Sequence, residues 1–158
     1  MANYQFLTIW ELDAPIETVW DALTHSERWP GWWKSVKQVV ELEAGSSDGL
    51  GNVRRFTWKM PLSYTLTFET CVTRIEPPNL MEARAIGEVE GVGLWELSTT
   101  SQGTEVRYTW NVKTTKAWMN VLALFIKPLM EWNHNAVMQE GGKGLAQLLG
   151  VRLLKMDV

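Results

Sequence analysis

Few side chains in this 158-residue chain are placed for acid–base or covalent chemistry. Its two histidines, His25 and His134, lie far apart, and neither has a second ligand at helical spacing, so no metal site is expected. The single cysteine, Cys71, excludes an internal disulfide and a Cys-rich zinc site. Gly142-Lys143 lacks the spacing of a phosphate loop, and GSSDGLG (45–51) and GVG (91–93) do not fit the dinucleotide fingerprint. Gly45-Ser46-Ser47-Asp48-Gly49 has the G-x-S-x-G spacing but falls in a turn between two strands rather than between a strand and a helix, so no nucleophile elbow is expected, and no cofactor is expected.

Three residues remain as candidates for polar work. His134 interrupts an apolar stripe near the C-terminus, so its ring should point inward. It is either a core histidine bonded to a carbonyl, or a polar handle or general acid–base group at the end of an apolar space. Arg54 shares a strand face with Phe56 and Trp58; inward, it needs an anionic or carbonyl partner, and otherwise it reaches solvent from a strand end. Tyr64 offers a hydroxyl or sits at a rim.

The elements that must position these residues follow from periodicity. Asn3 to Leu12 alternates as a strand with Tyr4, Phe6, Thr8, Trp10 and Leu12 on one face. Leu7 and Ile9 on the other face imply that both are covered. Asp13-Ala14-Pro15 opens a short helix with Ile16, Val19, Trp20 and Leu23 at helical spacing. A second short helix covers Ser26 to Trp29 and ends at Pro30-Gly31. Six strands follow: Val36–Glu43, Val53–Met60, Ser63–Ile75, Leu80–Val89, Gly91–Thr100 and Glu105–Lys113. Short turns join them, as in an antiparallel meander.

From about Lys116 to Leu149 the pattern is helical. Trp118, Leu122, Phe125 and Leu129 form one stripe. Met130, His134, Val137, Met138, Gly141, Leu145, Leu148 and Leu149 form another, about a third of a turn out of phase. Pro128 lies at the change and predicts a kink or break there. The order defines an α+β domain over residues 1–158: a curved seven-stranded antiparallel sheet around a long C-terminal helix.

A cavity is expected between sheet and helix, with a fully packed core as the alternative. Met81, Ala83, Ala85 and Gly87 share a face, and the small members of that set leave volume. Phe56, Trp58, Tyr64, Phe68, Trp95 and Trp110 supply aromatic walls on the inner face, with Phe125, Leu129 and His134 facing them from the helix. Ten tryptophans feed either an aromatic core or a ring-lined pocket. The rings of Trp29-Pro30-Gly31-Trp32-Trp33 are expected to cap the bottom of the core, and Asn133 and Asn135 to face solvent or bond to loops.

Charge excludes other classes. With 15 Lys plus Arg against 18 Asp plus Glu, no basic stripe points to nucleic acid. The first residues lack a signal-peptide pattern. The longest apolar stretch, Ala117 to Met130, is interrupted by Asn120, Lys127 and Pro128 and is too short to span a bilayer. A cytoplasmic location is expected.

APIETVWDAL (14–23) and WPGWW (29–33) resemble the N-terminal signature of the START-like, helix-grip SRPBCC superfamily. GEVEGVGLWEL (87–97), GTEVRYTWNV (103–112) and WNHNAVMQEGGKGL (132–145) are similar to the late strands and C-terminal helix of its polyketide cyclase/dehydrase members. The resemblance implies a deep hydrophobic cavity for lipids or polycyclic aromatics, and it transfers no catalytic set. Three functions follow as expectations: a binding protein for a hydrophobic small molecule; a polyketide aromatase/cyclase or dehydratase using Arg54 and His134; or a protein-interaction module without ligand.

Overall fold

The computed structural model describes residues 3–61, 64–115, 117, 121 and 123–158, without the side chains of 123–126. Strand β1 (Asn3–Leu12) leads into helix α1 (Ile16–Thr24) and a short 3-10 helix (Ser26–Gly31). Strands β2 (Val36–Glu43), β3 (Val53–Lys59), β4 (Thr65–Glu76), β5 (Leu80–Gly87), β6 (Val89–Thr99) and β7 (Thr104–Thr114) follow. Helix α2 (Ala123–Leu149) and strand β8 (Leu153–Asp157) complete the order. No helix of the described residues is long and apolar enough to cross a membrane.

The strands form one antiparallel sheet in the order β2-β3-β4-β5-β6-β7-β1-β8. The sheet therefore has eight strands rather than the expected seven. The extra strand pairs Trp10 with Met156 and Glu11 with Lys155. Five residues with no clean alternation carry little strand signal of their own, and the edge of β1 supplies the partner. The return is set by Gly150, whose φ of 65° suits a left-handed helix cap. Its N–H reaches the Gln147 carbonyl while the N–H of Val151 reaches that of Ala146, the paired bonds of a Schellman ending.

Alternation along β1 buries Tyr4, Thr8, Trp10 and Leu12. The opposite face is not covered as expected: Leu7 is 47% exposed. Helix α2 is one continuous segment through Pro128, so the expected break does not divide it. Of the first stripe, Trp118, Leu122 and the Phe125 side chain lie outside the described residues. In the second, Val137, Met138, Gly141 and Leu145 are buried, whereas Leu148 is exposed.

Close approach of α2 depends on Gly141, Gly142 and Gly144. A methyl group at Gly141 would stand 2.5 Å from Trp33 Cζ2, one at Gly142 would stand 2.9 Å from Trp10 Nε1, and one at Gly144 would collide with the Trp32 carbonyl oxygen. Glycine lowers helix propensity by about 1 kcal/mol relative to alanine, so three in four residues look like a helix-breaking run. Here they let the helix lie against tryptophan rings.

Candidate ligand-binding cavity

Between the concave face of the sheet and α2 lies a cavity of about 110 Å³. Period-two alternation aims Tyr108, Trp110, Val112 and Thr114 of β7 into it, and Tyr4 and Phe6 of β1 beside them. Trp58 and Phe68 come from β3 and β4, Trp95 from β6, and Trp29 and Trp33 from the 3-10 segment and the residues just after it. On α2 the spacing Met130, Asn133, His134, Val137, Met138 places one helical face over the opening between them.

A smaller compartment of about 70 Å³ adjoins it, lined by Ser26, Asn52, Arg54, Phe56, Ala83 and Gly93 among others. Trp29, Trp58, Phe68, Trp95, Tyr108 and Trp110 line both and form a partition. Its rings pack on one another: Trp95 stacks on Tyr108 at 4.0 Å between centroids, and Phe68 meets Trp110 at 5.5 Å. A methyl group on Gly93 would stand 2.9 Å from the Tyr108 hydroxyl and 3.0 Å from the Trp110 ring. Much of the volume left by the small residues Ala83 and Gly93, which pair across β5 and β6, is thus taken by rings from β7.

The larger compartment has a polar end. The Tyr64 hydroxyl donates to Met130 Sδ at 3.3 Å and accepts from Asn133 Nδ2 at 3.1 Å. Asn133 is 1% exposed, which overturns the expectation that it faces solvent or loops. Its Oδ1 is buried without a hydrogen-bond partner, as are Tyr4 Oη and both ring nitrogens of His134. The His134 ring lies flat on Phe6, with centroids 3.9 Å apart and planes within 11°. Burial pushes its pKa down to about 4, with the Asn135 side chain opposing the shift, so the imidazole is neutral near pH 7. Burial also raises the phenol pKa values of Tyr4, Tyr64 and Tyr108; Glu131 adds to the effect at Tyr4, and the Asn133 hydrogen bond opposes it at Tyr64.

Arg54 belongs to a different place. Its Nη1 donates to the Thr24 carbonyl at 3.0 Å and to Ser26 Oγ at 2.7 Å, and its Nη2 faces Glu27 at 3.2 Å and Glu41 at 3.4 Å. Arg54 therefore ties β3 to the end of α1 behind the aromatic partition, and it does not join His134 and Tyr64. Arg54→Met should cost about 1–3 kcal/mol in urea unfolding, because Glu27 and Glu41 lose their partner while staying partly solvated. An unchanged unfolding midpoint would mean that the ion pairs contribute nothing.

Of the residues nominated from sequence, Trp58, Tyr64, Phe68, Trp95, Trp110 and His134 line the larger compartment, and Arg54, Phe56 and Ala83 the smaller. Ala85 and Leu129 line neither, and the Phe125 side chain lies outside the described residues. Sequence reasoning left out Trp29, Trp33 and Asn133. Asn133 lies four residues before Val137 and eight before Gly141, a spacing that could have placed it on the buried face. Among the described residues, no group of three or more His, Cys, Asp or Glu could hold a metal ion.

The profile of the family described as polyketide cyclase/dehydrase and lipid transport matches residues 9–150. No curated protein matches the sequence. Among solved structures, the di-domain aromatase/cyclase StfQ of the steffimycin biosynthetic pathway superposes with a TM-score of 0.69 at 11% identity, covering 94% of this chain and 52% of its own. This chain thus spans about half the length of that protein. The ZhuI aromatase/cyclase from Streptomyces sp. R1128 gives a TM-score of 0.64 at 17% identity, covering 89% of this chain and 94% of its own. A protein from Thermus thermophilus gives 0.67 at 15% identity, covering 93% and 99%. At these identities the structural likeness establishes the fold alone.

Proposed function

We propose, for a chain that belongs to the polyketide cyclase/dehydrase and lipid transport family, that its ring-lined cavity binds a compact hydrophobic small molecule. The observation that carries this reading is the cavity itself: aromatic walls enclosing space, with buried polar atoms left unpaired at one end. Burial of apolar ligand surface contributes about 25 cal/mol per Å², and flat rings add stacking. Size points to a small occupant, since 110 Å³ is below the roughly 300–1,000 Å³ of pockets for drug-sized ligands.

The test is titration with an apolar fluorescent probe, together with native mass spectrometry of the purified protein for co-bound molecules. Leu66→Trp adds a ring to the cavity wall and should weaken probe binding about tenfold or more without lowering the melting temperature. Equal affinity in the variant would place binding elsewhere.

A second reading, an aldol cyclase or dehydratase, draws support from the neutral His134 with both nitrogens unengaged. Its proton shuttle would be His134 without Arg54, whose guanidinium is committed behind the partition. His134→Gln separates the readings. A general acid–base role predicts about a hundredfold loss of turnover, whereas a binding role predicts about 1–2 kcal/mol of affinity.

A further inference from the structure

We propose that the larger compartment selects uncharged ring compounds bearing hydroxyl or carbonyl oxygens and rejects their anionic and cationic analogues. The inference rests on the binding reading above and narrows it to a ligand class.

Tyr4 Oη, Asn133 Oδ1 and the two nitrogens of His134 are buried without partners, and all belong to residues lining one compartment. They share one end of it. His134 stacks on Phe6, and Phe6 stacks on Tyr4 at 5.9 Å. Asn133, next to His134 on α2, donates to the Tyr64 hydroxyl at 3.1 Å. A phenol donates and accepts, a neutral imidazole does one of each, and an amide oxygen accepts. A ligand hydroxyl can therefore donate to Asn133 Oδ1 while accepting from Tyr4 or His134, and a carbonyl can accept from the latter two. The indole N–H groups of Trp29 and Trp58 in the partition are likewise unpaired and add donors for a second oxygen.

Charge is what the compartment cannot satisfy. None of its described lining residues is Lys, Arg, Asp or Glu, and its one histidine is neutral at pH 7. The guanidinium of Arg54 lies behind the partition with Glu27 and Glu41 against it. A carboxylate entering here would lose its hydration and meet no cation among the described lining residues; the carboxylate that acts on Tyr4, Glu131, is exposed and not among them, so an ammonium would have to give up its hydration without a carboxylate at hand in the compartment.

Four single-ring probes, sized to a cavity of about 110 Å³, test this at pH 7: benzene, phenol, benzoate and benzylammonium, titrated by the change in tryptophan fluorescence. Phenol should bind about tenfold tighter than benzene and about a hundredfold or more tighter than either charged probe. Tyr4→Phe and His134→Phe should each bring the phenol-to-benzene ratio toward one; the two variants are separate so that a fold defect in one does not decide the matter. Equal binding of phenol and either charged probe overturns the selectivity and leaves the cavity-binding reading standing. A ratio unmoved in both folded variants overturns the assignment of the polar end. Failure of all four probes to bind overturns the binding reading and this inference with it.

Discussion

Gly141→Ala is expected to destabilise the protein by about 3 kcal/mol, although alanine is the better helix former by about 1 kcal/mol. The added methyl would stand 2.5 Å from Trp33 Cζ2 and 2.8 Å from Trp33 Nε1. Trp33 has little freedom to retreat. It is 1% exposed, its indole N–H donates to the Val137 carbonyl at 2.9 Å, and it meets Trp58 edge-on at 5.1 Å and Trp10 at 5.7 Å. Overpacking of such a site typically costs about 1–3 kcal/mol, with the upper end where neighbours cannot repack. Urea unfolding of Gly141→Ala, Trp33→Phe and the double variant measures the coupling. The smaller phenyl ring should make the double variant more stable than the sum of the single effects predicts. Lys143→Ala, on the exposed side of the same turn, should stay within about 0.5 kcal/mol of the parent. A Gly141→Ala protein that gains stability would show that helix propensity governs the position and that α2 does not press on Trp33.

The same contact explains what the sequence disclosed and what it withheld. Strand runs such as Val36–Glu43 and the helix ending at Leu149 were legible because their periodicity is local and their ends carry Gly or turn residues. The inward set Trp58, Phe68, Trp95 and Trp110 was legible for the same reason, since parity within a strand fixes the face. What depends on a partner distant in sequence was not. The GGKG run reads as weak helix until Trp33 and Trp10 are brought against it. Trp29 and Trp33 read as a cap on the core, and they do close it, but their rings also face the cavity. Parity placed Arg54 inward, yet could not show that the end of α1 would supply the Thr24 carbonyl and Ser26 hydroxyl that hold it. Ala85 illustrates the converse limit. It has the right parity and is 1% exposed, but it bounds neither compartment.

Acidification from pH 7 to pH 4 is expected to cost the native state about 3 kcal/mol through His134 alone. Its pKa falls from 6.5 to about 4 on folding, and each unit of difference between folded and unfolded states is worth about 1.4 kcal/mol. Above about pH 6.5 the ring is neutral in both states and makes no pH-dependent contribution. As pH falls below that value the unfolded chain takes up a proton that the folded chain refuses, so the unfolded state gains. The loss accumulates down to about pH 4 and then levels off, when the folded form is protonated as well. His134→Gln retains a neutral polar side chain and removes the titration. The stability difference between parent and variant therefore isolates this histidine from carboxylates that titrate at the acid end of the same range. That difference, measured by urea unfolding at intervals from pH 7.5 to 4, should be level above about 6.5 and should then swing by about 3 kcal/mol against the parent. A bound uncharged ligand should hold the ring neutral further into acid, so that the swing still begins near pH 6.5, where the unfolded chain takes up its proton, but continues to lower pH before it levels off. A difference that stays level across the whole range would mean that the imidazole keeps access to water or to a charged partner. Such a ring could not act as the neutral anchor of an uncharged ligand, and the polar end of the cavity would have to be assigned to Tyr4, Tyr64 and Asn133.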